Sequence, residues 1–281
     1  MVNQKNTLKS SKSFSRNPAV EVLRYVGAVG IVWFHLNGPT AWIGHAALEV
    51  FIILSVVFAL RTGEAWSRRR VLWIWVFWSA VYAAMKIVQA VALGTLVTDE
   101  FEWWMLLTGP SLPLWFLPFI YVANGLAVAY VQNVKWPPIV EGIIFGIISS
   151  GLVLALKFLP IPLAQWALGF AAVLAAITVF RAMQGNWIAL LLWMVPIVLI
   201  REELLILAVP IATAALVCTL KTEAIWPSIV GQLALPVYLL HSGVSSVTKL
   251  HGSVTGIIAV VFISTILGFV LLRAPVIRSY L

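Results

Sequence analysis

Runs of roughly twenty apolar residues fill most of this sequence, and they constrain the fold more than any other feature. A helix needs about 20 such residues to cross the roughly 30 Å hydrocarbon core of a bilayer, and Pro, Gly or charged residues separate the runs. The predicted spans are 20–37, 44–61, 71–94, 114–132, 138–157, 161–180, 186–200, 203–220, 228–248 and 253–272. We therefore expect an all-α polytopic transmembrane helix bundle of about ten spans. Only Arg201, Glu202 and Glu203 divide the runs within 186–220, so those two runs could also form one broken element.

The composition excludes a soluble fold. Of 281 residues, 62% are hydrophobic and 10% are charged, whereas soluble domains carry about 25% charged residues. The predicted organisation is a basic cytoplasmic tail at 1–19, a transmembrane domain at 20–272 and a second cytoplasmic tail at 273–281. Because the apolar runs use nearly all of the chain, any chemistry is expected inside the bundle or at its mouths. Cys218, the single cysteine, lies in an apolar run and predicts no disulfide framework.

The positions of the basic residues predict the orientation. The net charge is +8, but the basic residues mark the ends of spans and form no patch with interleaved aromatic residues, so no nucleic acid is expected as a partner. With the N-terminus inside, thirteen basic residues fall on the cytoplasmic side and three outside. The inner set is Lys5, Lys9, Lys12, Arg16, Arg61, Arg68, Arg69, Arg70, Lys135, Arg181, Lys221, Arg273 and Arg278; the outer set is Lys157, Arg201 and Lys249. This asymmetry predicts an N-in, C-in topology.

Ionisable side chains within spans usually mark a cavity, a relay or a substrate path, because each costs ~2.5–3.5 kcal/mol or more at the bilayer centre. The residues of this kind are Arg24, His35, Glu49, Lys86 and His241. Arg24 and His35 are eleven residues apart on the first span, a spacing that puts them on one helix face about 16 Å apart along the axis. This pair suits a long substrate with its anionic head at Arg24 and its reactive end at His35. Alternatively, Arg24 snorkels to the headgroups and His35 bonds a neighbouring helix.

Three further sets of residues extend this candidate site. Glu49 on the second span is expected beside His35, where a carboxylate would orient the imidazole, unless it faces water at the outer leaflet. Arg68, Arg69 and Arg70 form a basic cluster before the third span, suited to the phosphates of a cofactor or to anionic lipid. Tyr238 and His241 lie one turn apart on the ninth span and are candidates for substrate binding. The four histidines form no recognised metal-binding motif, so no metal is expected.

Several of these residues lie in segments that resemble the acyltransferase-3 family of bacterial membrane acyltransferases. Arg24 to His35 (RYVGAVGIVWFH) is similar to the Arg-x10-His signature of the family, and residues 47–55 (ALEVFIILS) are similar to its acidic-Leu-Phe-Phe-Val-Leu-Ser run. Residues 68–70 correspond to its basic segment, 114–118 (LWFLP) to its Trp-Phe-Leu segment and 238–241 (YLLH) to its Tyr-Leu-Leu-His segment. The chain departs from the family pattern at Val56, Trp73 and Val76, where Gly, Arg and Pro are usual.

The resemblance implies a function, a donor and a set of roles. Acyl-CoA, commonly acetyl-CoA, would enter from the cytoplasm with its phosphates at Arg24 and the loop arginines. His35 would act as general base or transient acyl carrier, oriented by Glu49, with Trp115, Tyr238 and His241 against the substrate. The acceptor would be a hydroxyl of a surface carbohydrate or lipid-linked glycan, and the location would be the bacterial cytoplasmic (inner) membrane.

Two other functions remain open at the level of sequence. A ten-span transporter of the drug/metabolite type has a similar length, although such carriers are usually built from two inverted halves and no correspondence between the two halves is visible here. A non-catalytic subunit of a membrane assembly would use the charges within the membrane as interhelical contacts. The sequence also leaves a homo-oligomer open.

Overall fold

A computed structural model describes residues 18–63, 69–219, 229–250 and 252–274, and these ranges contain helices and turns but no strand. The α-helices are α1 (Pro18–His35), α2 (Ala41–Thr62), α3 (Arg69–Leu93), α4 (Met105–Thr108), α5 (Phe116–Asn133), α6 (Pro138–Ala155), α7 (Ile161–Met183), α8 (Trp187–Leu199), α9 (Glu203–Thr219), α10 (Ile229–Thr248) and α11 (Val254–Arg273). Short 3-10 helices cover Val97–Glu100, Leu112–Trp115 and Leu156–Phe158. The all-helical fold class is confirmed, whereas most of the two predicted tails and the side chain of Cys218 lie outside the described part of the chain.

Each of the ten apolar runs of the sequence overlaps one α-helix. Within the described part of the chain, six helical segments are long and apolar enough to cross a membrane, namely Ala41–Thr62, Val71–Leu93, Pro113–Asn133, Pro138–Phe158, Leu163–Met183 and Val254–Arg273. The helices α8 and α9 are apolar but shorter. Neither α1 nor α10 is among the six, and these are the two helices that carry His35 and His241. The chain is thus a membrane protein, and the two stacked histidines of the candidate site lie on long helices outside this set of six.

The helix α2 lies at the centre of the bundle. It packs against α1, α5, α7 and α9, and more than half of its residues are buried. A helix that is apolar all round is expected inside a bundle, and α2 carries Ile, Leu, Val and Phe on every face. By contrast, α3 is largely exposed and presents Trp73, Val88 and Val91 outwards, as a helix facing lipid does.

Close contact between glycine residues joins α1 and α2 into an antiparallel hairpin. Gly44 lies against the backbone of Gly30, where a Cβ would overlap the Gly30 carbonyl oxygen, and Gly30 also faces Ala47. One helical turn earlier on α1, Gly27 lies against the ring of Phe51. Small residues let membrane helices approach closely and gain packing contacts, because the lipid provides no hydrophobic drive between helices. These contacts fix the register of the hairpin.

A second group of helices, α6, α7 and α8, is held by polar contacts in its interior. Arg181 on α7 makes two bonds to Glu141 on α6, with Nε 3.2 Å from Oε2 and Nη2 3.4 Å from Oε1. Glu141 is fully buried, and this ion pair with Arg181 offsets part of the cost of its burial. The indole of Trp193 on α8 donates to the hydroxyl of Ser149 on α6 at 2.9 Å. These contacts brace the side of the bundle on which α7 meets α2.

Candidate functional site

The rings of His35 and His241 stack on each other in the bundle. His35 is the last residue of α1 and His241 lies on α10, and their ring centroids are 5.3 Å apart with 25° between the planes. The ring of His241 is buried, whereas that of His35 is partly buried. The structure therefore brings together two histidines that lie about two hundred positions apart in the sequence.

The backbone of α10 holds His241 in one tautomer when the ring is neutral. Its Nδ1 lies 2.6 Å from the carbonyl oxygen of Tyr238, and because a carbonyl only accepts, Nδ1 carries the proton. In the neutral ring Nε2 is then an acceptor, and the hydroxyl of Ser242 donates to it at 3.4 Å. Tyr82 from α3 supports this stretch of helix, since its hydroxyl donates to the Leu239 carbonyl at 2.5 Å and accepts from the Gly243 N–H at 3.2 Å.

Tyr238 and Trp115 form the aromatic wall beside the two histidines. The buried hydroxyl of Tyr238 donates to the carbonyl oxygen of Pro113, which ties α10 to the 3-10 helix that precedes α5. Trp115 ends that 3-10 helix and is buried, with its ring against Phe116 and Phe119. Both residues were predicted from the sequence as substrate contacts, and they line one cavity with His35 although they come from different segments.

A small enclosed space, which we call the histidine cavity, lies between these groups. Its volume is about 20 Å³ and its lining residues are Ile31, Phe34, His35, His45, Leu48, Trp115, Gln165 and Tyr238. A volume of ~10–15 Å³ on this measure is enough for one water molecule. The cavity thus fits about one water, and a bound acyl group would have to displace lining side chains.

Glu49 does not lie beside His35, contrary to the expectation from the sequence. Its side chain is buried, but no contact joins it to His35 among the described residues, and the carboxyl group that interacts with it electrostatically is that of Glu202. The hairpin register explains this difference. Gly27 faces Phe51 and Gly30 faces Ala47, so Glu49 is level with the residues near Gly27, about two helical turns or ~10 Å from His35.

Arg24, which was predicted to bind the phosphates of the donor, pairs with an acidic residue on its own helix. The side chain of Arg24 is 42% exposed, and its Nη1 lies 3.4 Å from Oε1 of Glu21, one turn earlier on α1. Glu21 in turn packs on Gly231 of α10, where a Cβ would overlap its carboxylate. Arg24 does not line the histidine cavity.

The loop arginines Arg68, Arg69 and Arg70 precede or begin α3. Arg68 lies outside the described residues, and Arg69 and Arg70 begin α3 with side chains that are not described. Their role, like that of Arg24, stays a prediction. Lys86, a further charge within a predicted span, forms an ion pair of 3.6 Å with Glu100 in the 3-10 helix Val97–Glu100.

Two residues of the cavity were missed by the sequence interpretation. His45 lies in the first turns of α2 and is 7% exposed, with its Nδ1 lacking a hydrogen-bond partner among the described residues. Gln165 of α7 lines the same cavity beside His45. A histidine near the start of a span resembles an interfacial residue, so only its spacing of ten residues from His35 across a short turn could have drawn attention to it.

A larger open pocket lies on the other side of His45 and Phe34, and we call it the mouth pocket. It has a volume of about 370 Å³ and is lined by Phe34, Trp42, His45, Arg201, Glu202, Glu203 and Leu204. The α1–α2 and α8–α9 turns form its rim. Because Phe34 and His45 belong to both spaces, they form the wall between the mouth pocket and the histidine cavity.

Glu202 is the most perturbed carboxyl group at the rim. Burial raises its pKa, the hydrogen bond with the Leu204 backbone lowers it, and the neighbouring Glu203 raises it again. The balance is a raised pKa, so Glu202 takes up a proton at a higher pH than an ordinary glutamate does.

The described residues offer acid–base chemistry in a nearly dry site. The imidazoles of His35, His45 and His241 cluster within it, and no group of three or more His, Cys, Asp or Glu side chains among the described residues is arranged to hold a metal ion. Comparisons with family models, with curated proteins and with solved structures found no match for this chain.

Proposed function

We propose that this chain is a membrane-embedded O-acyltransferase of the acyltransferase-3 type. It would move an acyl group, acetyl by the resemblance, from cytoplasmic acyl-CoA to a hydroxyl of a surface carbohydrate or lipid-linked glycan. One observation carries the proposal: His35, Trp115 and Tyr238, from three distant segments that resemble the family motifs, line one cavity, and His241 stacks on His35. Segments that share only apolar character would have no reason to converge in this way.

In the proposed reaction His35 is the general base. It accepts the proton of the acceptor hydroxyl while the oxygen attacks the thioester carbonyl, so that a C–O bond forms, the C–S bond breaks and the thiolate leaves with the proton from the imidazole. Removal of such a positioned base typically costs ~10²–10⁴ in rate. His241 would hold the His35 ring by stacking, and the wall of Tyr238 and Trp115 would exclude water. The described contacts do not support a role for Glu49 in this step.

The donor and the acceptor would reach His35 from opposite sides. The proposed topology has ten spans with both termini in the cytoplasm of a bacterial cell, so the mouth pocket opens outwards and Arg24 lies inwards. The pantetheine arm would then follow α1 over the ~16 Å between Arg24 and His35. The unpartnered Nδ1 of His45 is a polar group suited to bind the acyl oxygen or the acceptor hydroxyl once either one enters.

Labelled acetyl-CoA tests the proposal without knowledge of the acceptor. The purified protein in nanodiscs is assayed for transfer of acetyl label to extracted glycans and for slow hydrolysis of the thioester to water. We expect His35→Asn to lower both rates by about 10² or more, with an unchanged melting temperature. Trp73→Leu, on the exposed face of α3, is the control and should retain activity. Equal rates for wild type and His35→Asn would refute the proposal.

A ten-span transporter is the second candidate, and the burial of Glu49 favours it. Its Oε2 has no hydrogen-bond partner among the described residues, as in carriers that move protons through a buried carboxylate. Substrate uptake into proteoliposomes that survives His35→Asn but is lost in Glu49→Gln would establish this alternative.

A further inference from the structure

The mouth pocket has the size and shape of a ligand site. Its volume of about 370 Å³ falls within the range of ~300–1,000 Å³ for small-molecule sites. The two turns that form it come from the hairpin α1–α2 and the hairpin α8–α9, and α2 packs against α9 beneath them. The rim is therefore anchored on packed helices.

The charges around this pocket are unbalanced. Glu202 and Glu203 face it together with one guanidinium, that of Arg201, and none of the three forms an ion pair with another described residue. The buried carboxyl group of Glu49 lies behind Glu202, close enough to interact with it electrostatically. Two carboxyl groups against one basic group at the lining favour a cation over an anion in a pocket with low-dielectric walls.

An aromatic ring completes the recognition of a positive charge. Trp42 lines the pocket and is 47% exposed, so its indole face is open to a ligand. Tryptophan is the side chain that attracts organic cations most strongly through the ring quadrupole, and aromatic rings with carboxylates are the usual surroundings of bound ammonium groups.

A polar side chain at the base of the pocket indicates where a hydroxyl group of the ligand would bind. His45 is more than nine-tenths buried, lines the pocket, and has an Nδ1 without a hydrogen-bond partner among the described residues. An unpartnered buried polar atom costs about 1–3 kcal/mol, and a ligand hydroxyl that reaches His45 would remove this cost.

We propose that the mouth pocket binds a small organic cation, with its ammonium group between Trp42 and the pair Glu202 and Glu203 and a hydroxyl at His45. This inference concerns the pocket alone and does not depend on the acyltransferase proposal. Where both hold, the acceptor that enters through this pocket carries an amine close to its hydroxyl.

Choline and its uncharged isostere 3,3-dimethylbutan-1-ol test the proposal. The two molecules have nearly the same shape and the same hydroxyl, and they differ in the charge of the quaternary centre. Binding to the full chain in an uncharged maltoside detergent is measured by saturation-transfer difference NMR, with empty micelles as the blank. We expect choline to bind about tenfold more tightly than the isostere. Equal affinities, or a choline signal no larger than that of the empty micelles, would overturn the proposal.

Two variants locate the site. The double variant Glu202→Gln with Glu203→Gln keeps the shape of the rim and removes its negative charge, so we expect it to abolish the preference for choline. Trp42→Leu should weaken choline at least severalfold, whereas the same change at exposed Trp73 on α3 is the matched control and should leave affinity unchanged. If choline binds the double variant as tightly as the wild type, the mouth pocket is not the cation site.

The two proposals fail separately. Choline binding requires no donor, and acetyl-CoA hydrolysis requires no acceptor, so loss of one leaves the other measurable.

Discussion

His45 and Glu49 lie one helical turn apart on α2, yet they have different surroundings. The side chain of His45 faces the histidine cavity and the mouth pocket, whereas Glu49 is buried away from both and interacts with Glu202. A single turn of helix thus separates a residue that can touch a substrate from one whose carboxyl group is enclosed by protein.

This difference predicts unequal effects on acyl transfer. We expect His45→Ala to lower kcat by at least about tenfold, because it removes a polar group from the wall between the two spaces. Glu49→Gln keeps the shape of a residue that has no contact with His35, so its rate should stay within about twofold of wild type. The rates are measured with labelled acetyl-CoA on variants of matched melting temperature. A large loss in Glu49→Gln with no loss in His45→Ala would restore Glu49 as the partner of His35.

Some residues of the site can be recognised in the sequence and others cannot, and the difference has a physical reason. His35, Tyr238 and His241 are polar groups inside apolar runs, so the cost of placing them in a membrane makes them conspicuous. The position of Glu49 relative to His35 depends on the register of two helices, and that register follows from contacts such as Gly30 with Gly44. Spacing along one helix is readable from the sequence, whereas contacts between helices are not.

At the scale of elements, the hairpin of α1 and α2 positions most of the candidate site. α1 ends at His35, α2 begins at Ala41, and His45 follows in its second turn. The close approach at Gly30 and Gly44 sets the distance between the two helices, and therefore the width of the histidine cavity.

This packing predicts that one methyl group added at Gly44 lowers the stability of the fold. Gly44→Ala would put a Cβ onto the Gly30 carbonyl and push α1 away from α2, at a cost of about 1–3 kcal/mol for overpacking. We expect a lower melting temperature and reduced acyl transfer. Gly151→Ala on α6 is the matched control, because nothing lies within 4 Å of the added Cβ there, and it should be neutral or slightly stabilising. Equal melting temperatures for the two variants would contradict the contact at Gly44.

The positions of the long helices were predictable because apolar runs and their breaks determine them. The runs at 44–61 and 138–157, for example, correspond to α2 and α6. The short helices between α3 and α5 were not predicted, since a helix of four residues such as α4 has no periodicity to detect. The central position of α2 was also not predicted, because several other helices are equally apolar.

At the scale of the whole molecule, the length of α8 has a consequence for the mouth pocket. Its 13 residues rise about 20 Å, whereas the hydrocarbon core is roughly 30 Å thick. If α8 crosses the bilayer, at least one of its ends therefore lies below the membrane surface, and we expect this end to be the turn that carries Arg201 and Glu202. Charged residues are tolerated at that depth when a water-filled pocket surrounds them, and the mouth pocket provides such a space.

Cysteine labelling tests the ten-span topology and this recess together. Cys218→Ser is the background, and single cysteines replace Gln184, Glu203 and Thr255, all of which are exposed. In intact spheroplasts, a membrane-impermeant maleimide should label Thr255→Cys rapidly and Glu203→Cys more slowly, because Glu203 lies deeper. Gln184→Cys should react only after permeabilisation, since the turn between α7 and α8 is on the cytoplasmic side in the proposed topology.

If Glu203→Cys also required permeabilisation, α8 and α9 would form one re-entrant element within an eight-span protein, and the mouth pocket would lose its access from outside. Reaction of Gln184→Cys alone in intact cells would instead invert the whole bundle and place the proposed donor site on the wrong side for cytoplasmic acyl-CoA.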